Sequence, residues 1–299
     1  MSNFLVIFFS LFLGYILQKK YRHSHRLPHY LNKFIIYIAL PAMILLEVPK
    51  LSFSDELFIP MTISWVVMIS SALLVLLFSF WLHFKTEITG ALMLVAVLTN
   101  STFLGIPIIH AYYGSAALPY IIVYDQIGSF LFLSTYGTII VAIYAHKSKI
   151  NLAIILTKII TFPPFIALLL ALLPLEYEFD TFVTQLLKVL SLSIPPLALI
   201  AVGLQLRFRL PKDDLIPFSI ALLIKLIIAP MIAILTAYIF DWNGIATQVS
   251  IMEAGMAPMI TAAAMASMVG LAPRLSAAIT GYGILFSFVT SAILYLLIR

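Results

Sequence analysis

Residues 99–107 read T-N-S-T-F-L-G-I-P, and residues 253–258 read E-A-G-M-A-P. Each stretch interrupts a long apolar segment with polar residues, glycine and proline. Proline removes a backbone donor and crowds the preceding turn. Glycine lowers the cost of irregular backbone. In a bilayer such a break survives only where protein or a wet cavity satisfies the freed N–H and C=O groups. The pair therefore predicts two broken transmembrane helices. Pro107 and Pro258 are each expected to begin a second half-helix, where the fixed φ of proline is favourable. A helix start carries free N–H groups and partial positive charge, so two of them converging at mid-membrane suit an anionic group. The C-terminal ends of the first halves favour a cation. Asn100, Ser101 and Thr102 add neutral donors and acceptors, while Gly105 and Gly255 flank the breaks. The plainer alternative is that both prolines only kink packed helices. Their matched placing, with glycine and polar flanks on each side, favours a binding site.

The composition sets the solvent. Of 299 residues, 63% are hydrophobic and 10% charged, against about 25% charged in a soluble domain. Mean hydropathy is +1.12. A water-soluble fold could not hide so much apolar side chain. Soluble enzymes, nucleic-acid binders and disordered chains are excluded, and the lipid bilayer is the partner that remains. There is no cysteine, which removes disulfides, thiolate metal sites and cysteine nucleophiles. The net charge of +5 comes from short basic clusters between apolar runs, which read as topology signals.

A spanning helix needs about 20 mainly apolar residues. Ten segments qualify: 3–18, 28–48, 57–82, 88–110, 117–145, 152–173, 182–205, 215–240, 245–270 and 273–298. Lys19, Lys20, Arg22 and Arg26 follow the first segment instead of preceding it, so it reads as a retained helix and not as a signal peptide. Loops after odd spans hold these four with Lys85, Lys147, Lys149, Arg207, Arg209, Lys212 and Arg274, eleven in all. Loops after even spans, with the C-terminus, hold only Lys50 and Arg299, and one of them is acidic (Glu176, Glu178, Asp180). The positive-inside rule then gives ten spans with both termini outside the cell membrane.

A shift of 155 residues lays Lys33 on Lys188, Pro41 on Pro196 and Gly128 on Gly283, and a shift of 151 lays Pro107 on Pro258. Two five-span halves are expected, residues 1–151 and 152–299. Five is odd, so the halves insert with opposite orientation. Inverted repeats of this kind mark transporters, with the site near midplane where the repeats meet.

Three charges fall inside spans, two of them deep. Glu253 lies about 12 Å into span 9 and Lys225 about 15 Å into span 8, at 1.5 Å per residue. An ionisable group at that depth is costly and functional by default. Glu253 can coordinate Na+, exchange a proton or pair with a lysine. Lys225 can pair with Glu253 or Asp125, or hold a substrate carboxylate. Asp125 lies roughly 8 residues from the outer end of span 5, where water can reach it, and is the third candidate for ion coupling. Lys33, Lys158 and Lys188 lie nearer span ends and read as snorkelling amines. Glu47 reads as solvated at the outer end of span 2. His23, His25 and His29 lie at a basic turn with too few further ligands for a metal, and the methionines of span 9 read as adaptable packing. No metal or resident cofactor is expected.

The motifs N-S-T-F-L-G-I-P-I, K-L-I-I-A-P and E-A-G-M-A-P-M-I-T-A-A-A-M-A, followed by G-L-A-P, resemble those of the auxin efflux carrier family, specifically its compact bacterial members. The resemblance covers nearly the whole chain. It implies an all-α fold of ten helices in a five-plus-five inverted repeat, similar to bile acid sodium symporters and Na+/H+ antiporters, with broken helices 4 and 9 crossing. Spans 1, 2, 6 and 7 would form a scaffold, and spans 3–5 and 8–10 a transport domain moving as an elevator. It implies export or exchange of organic anions, such as auxin in plants and dicarboxylates (malate or malonate) in bacteria. Glu253 is similar to the glutamate that helps bind Na+ in bile acid symporters, and Na+ or H+ coupling stays open. The long cytoplasmic loop of plant members is absent, residues 146–151 being a short turn. A homodimer is admitted as an assembly.

An intramembrane enzyme would need a nucleophile–base pair or a metal cluster, and neither H-E-x-x-H nor G-x-S-x-G occurs. A channel would favour rings of one residue type or a filter loop. An uncoupled anion channel or facilitator is the alternative to a coupled carrier.

Overall fold

Apolar runs of this length can satisfy their own backbone in a bilayer only as helices. The computed structural model describes residues 2–20, 26–50, 55–145, 157, 160–171, 173, 179–205 and 214–299, and the regular structure among them is helical apart from one β-bridge. Arg22, His23, His25, Lys147, Lys149, Lys158, Glu176, Glu178, Arg207, Arg209, Lys212 and the expected boundary between the halves lie outside the described residues.

The chain begins with α1 (Ser2–Lys20), followed by α2 (Arg26–Phe34) and α3 (Leu40–Glu47), which a π-helical turn (Ile35–Ala39) joins. Next come α4 (Phe58–Trp81) and α5 (Thr86–Val95). A π turn (Ser101–Gly105) leads into α6 (Ile106–Tyr113). After a reversal at Gly114, which has φ of +70°, α7 (Leu118–Val123) continues through two π turns (Tyr124–Phe130 and Leu133–Gly137) into α8 (Thr138–Ala145). Then follow α9 (Pro163–Ala171) and α10 (Thr181–Gln205). The last part holds α11 (Leu215–Leu223), a π turn (Ile224–Ile228), α12 (Ala229–Ile239), α13 (Ile245–Ala254), α14 (Ile260–Met268) and α15 (Pro273–Ile298).

Among the described residues, five helical runs are long and apolar enough to cross a membrane: Phe58–Trp81, Ser101–Tyr144, Thr181–Leu204, Leu215–Ile239 and Pro273–Ile298. Phe80, Trp81, Tyr238, Leu296 and Leu297 stay exposed on their surfaces, as does Phe9 on α1. In water such apolar surface would drive association, whereas in a bilayer the same side chains face lipid.

Three of the π turns stand directly ahead of a proline: Ile35–Ala39 before Pro41, Ser101–Gly105 before Pro107, and Ile224–Ile228 before Pro230. Proline offers no N–H to the carbonyl four residues back, and its ring crowds that carbonyl. A wider turn makes room without ending the helix. Pro195 and Pro196, inside α10, are accommodated without such a turn.

Helices α4 and α12 end alike. His83 (φ +52°) and Asp241 (φ +53°) take the left-handed conformation just past the helix. Phe84 N–H then donates to Ser79 O at 3.0 Å, and Trp242 N–H to Ala237 O at 2.9 Å, which closes a Schellman motif in each.

α1 lies along α10, and α3 packs on α9 and α10; α4 packs on α12 and α13, and α14 on α5 and α15. Gly14 and Gly203 allow the α1–α10 approach. A Cβ on either would overlap the backbone of the facing helix. The buried side chains form two apolar clusters, one holding Leu104, Met256 and Ala257, the other Ala96, Val97, Leu98 and Met259. The breaks lie where the clusters meet.

Candidate substrate and ion site at the helix crossing

α5 ends at Val95 and helical structure resumes only at Ser101; α13 ends at Ala254 and α14 starts at Ile260. The two gaps cross as an antiparallel bridge between Thr99 and Pro258. Asn100 N–H donates to Ala257 O at 2.9 Å, and Met259 N–H donates to Leu98 O at 3.0 Å. Each break thus satisfies the other, as backbone in hydrocarbon requires. The Pro258 ring closes the crossing against Gly283, where a Cβ would overlap the ring.

The correspondence between the breaks differs from the one the prolines suggest. Around the crossing the offset is 159 residues, from Thr86 to Ile245, from Val95 to Ala254 and from Thr99 to Pro258. The shift of 151 that lays Pro107 on Pro258 is not the one the backbone uses. Thr99 holds in the first break the place that Pro258 holds in the second. The second half of the first helix starts at Ser101, and Pro107 follows one π turn later, as the second residue of α6.

Asp125 sits on the π turn after α7 and is buried. Ser101 and Thr102 both donate their hydroxyls to its Oδ1, the latter at 2.7 Å, and Gln126 Nε2 donates to its Oδ2 at 2.6 Å. Two of the residues expected to bind substrate thus serve a carboxylate of the chain itself.

Lys225 rides on the π turn ahead of Pro230 and is 0% exposed. Its Nζ donates to Thr99 Oγ1 at 2.5 Å and to Ala254 O at 3.2 Å. Ala254 ends α13, so the ammonium caps the electronegative end of a half-helix. At the matching end of α5 a neutral group does this: Tyr136 OH donates to Met93 O at 3.0 Å. The hydrogen bonds of Lys225 go to a hydroxyl and a carbonyl and not to Glu253 or Asp125.

Glu253 is 0% exposed, and neither of its carboxylate oxygens has a hydrogen-bond partner among the described residues. It lies within the electrostatic reach of both Asp125 and Lys225. Gly105 packs directly on its carboxylate, and a Cβ there would overlap both oxygens. Asn100 is buried, and its Nδ2 is also without a partner.

The crossing therefore gathers Asn100, Ser101, Thr102, Gly105, Asp125, Lys225, Glu253 and Pro258. Pro107 stands outside it in α6. Gly255 lies in the second break but packs towards Leu294 and Pro230. Sequence reasoning passed over Thr99, Gln126 and Tyr136 as partners. Thr99, a polar residue at the edge of the first break, carried a signal. Nothing in the sequence tied Tyr136 to Met93.

A family profile described as membrane transport protein matches residues 1–295. An uncharacterised transporter of Methanothermobacter thermautotrophicus is 27% identical over 261 residues, covering 85% of this chain and 83% of its own length. An uncharacterised transporter of Methanocaldococcus jannaschii is 28% identical over 237 residues, covering 76% of this chain and 75% of its own.

Proposed function

The chain belongs to the membrane transport protein family, the auxin efflux carriers that its motifs resemble, and from that premise we propose that it is a secondary carrier of a small organic anion. The observation that carries this reading is the hydrogen-bonded crossing of two broken helices with Asp125, Glu253 and Lys225 buried against it. Buried charges are tolerated only when compensated. Two carboxylates share the crossing with one ammonium, so one further monovalent cation balances the charge. A proton or Na+ fills that role, and Glu253, whose oxygens are unpartnered, is where it acts. An anion entering before the cation would meet net negative charge, so the coupling ion binds first and the carboxylate second. Asn100, with its unpartnered amide, is the donor for that carboxylate. Ser101 and Thr102 join it on release from Asp125.

The same reading takes the fold as ten spans in two inverted halves, 1–151 and 152–299, with both termini outside the cell membrane. Helices fall in each of the ten apolar segments. The matched ends of α4 and α12 and the equal lengths of α5 and α13, ten residues each, support the repeat. The group α1, α3, α9 and α10 serves as scaffold; the elements around the crossing move as the transport domain. An uncoupled facilitator or channel finds less support, because Thr99, Asn100, Ser101, Lys225 and Glu253 are all shut off from solvent.

Flux of labelled mono- and dicarboxylates into proteoliposomes, with Na+ and pH gradients varied independently, tests the proposal. Saturable, gradient-driven uptake is expected, and Asn100→Ala and Glu253→Gln are expected to abolish it in folded protein. Wild-type rates in both variants would remove the site assignment.

A further inference from the structure

A cleft of about 70 Å³ opens between α3, α6 and α10, and Glu47, His110, Ser115, Lys188 and Ser191 line it. Lys188 and Glu47, read from sequence as a snorkelling amine and a solvated acid, thus share a recess with two hydroxyls and an imidazole. Lys188 is exposed, while Glu47 is buried and already partnered. His110 Nε2 stands 3.4 Å from Ser115 Oγ and lies in the field of Glu47. The cleft comes close to the crossing without joining it. Ile106 lines the cleft and is 1% exposed. The preceding residue, Gly105, packs on the Glu253 carboxylate. Only the first turn of α6 separates the two.

We propose that this cleft is a waiting site for the carboxylate substrate, held by Lys188 with Ser115 and Ser191, outside the crossing. The inference rests on the carrier reading, in which the crossing repels an anion until the coupling ion is bound. An ammonium with two hydroxyls at a recess mouth is a carboxylate-binding set. Holding the anion one helix turn from the crossing raises its local concentration without placing it beside two uncompensated carboxylates.

The chain has no cysteine, so single thiols can report on the cleft without any transport assay. Ser115→Cys protein in vesicles of zwitterionic lipid is treated with anionic sulfonatoethyl and cationic trimethylammonioethyl methanethiosulfonate, each rate being divided by that of free thiol. The anionic reagent is expected to react faster. Lys188→Gln should lower the anionic-to-cationic ratio about fivefold, as loss of one charge at close range implies, and Lys188→Arg should keep it. Millimolar malonate should slow the anionic reagent with Lys188 present and not with Lys188→Gln. Ser191→Cys serves as a second reporter should Ser115→Cys fold poorly. A ratio unmoved by Lys188→Gln, a preference for the cationic reagent, or malonate protection seen only with anionic lipid added would overturn the proposal. A cleft that behaves as expected in a protein that moves no carboxylate would refute the carrier reading and leave the anion site standing.

Discussion

Gly105 shows how tightly the crossing is drawn. Its missing side chain is what lets α6 lie against the Glu253 carboxylate. Gly105→Ala must push that carboxylate away, at about 1–3 kcal/mol for overpacking. Carboxylate flux should be lost, and detergent-solubilised protein should unfold at a lower temperature. Lys225 carries the larger electrostatic load. Lys225→Met leaves two buried carboxylates without their cation, and breaking such an arrangement costs on the order of 3–5 kcal/mol. The double variant Lys225→Met with Glu253→Gln removes one charge of each sign, so it should regain most of the lost thermal stability. A double variant as unstable as Lys225→Met alone would mean that the lysine acts through packing. Glu253 and Lys225 were legible in the sequence because an ionisable group so deep in an apolar run is costly to bury, whereas Asp125, read as open to water, is buried. The partners at the crossing were not legible. Thr99, Gln126 and Tyr136 are ordinary residues until the tertiary fold brings them beside Lys225, Asp125 and Met93.

At the scale of the helix, proline does more than break. Pro41, Pro107 and Pro230 each follow a π turn, and the last two of these turns carry Ser101, Thr102 and Lys225. Pro230→Ala restores the missing donor and lets the turn relax to an α-helix. One residue fewer per turn rotates what precedes it by about 100°. The Lys225 ammonium would then swing off Thr99 and Ala254. The variant should stay folded and lose most of its flux, and wild-type flux would show that the π turn does not set the lysine's aim. The two breaks were readable from glycine, proline and polar residues inside apolar segments. Their alignment was not, because the bridge pairs a threonine with a proline, and no residue match marks that pair. The π turn on which Asp125 sits, Tyr124–Phe130, was also hidden. It contains no proline, and its register depends on contacts such as Trp65 Nε1–H donating to Ile127 O at 3.0 Å.

Across the whole molecule, the α1–α10 seam packs against the crossing through the Ser101–Gly105 turn and α6, and the cleft between α3, α6 and α10 opens beside that contact. Leu46→Cys with His110→Cys, joined by a bifunctional thiosulfonate, should stop flux until a reductant restores it. Undiminished flux in the joined protein would argue against relative motion there. The membrane character and the helical class followed from composition, since no other solvent accepts this surface. The cleft did not, because it arises from elements distant in sequence. The bridge at the crossing also bears on how the protein is made. Leu98 C=O and Asn100 N–H find their mates in Met259 and Ala257, residues that leave the ribosome only when most of the polypeptide has been translated. At about 5–20 residues per second, the earlier half must wait roughly 10–30 s with bare peptide groups at lipid depth. During that interval the nascent chain depends on the insertion machinery, or on trapped water, for the bonds its own later half will supply.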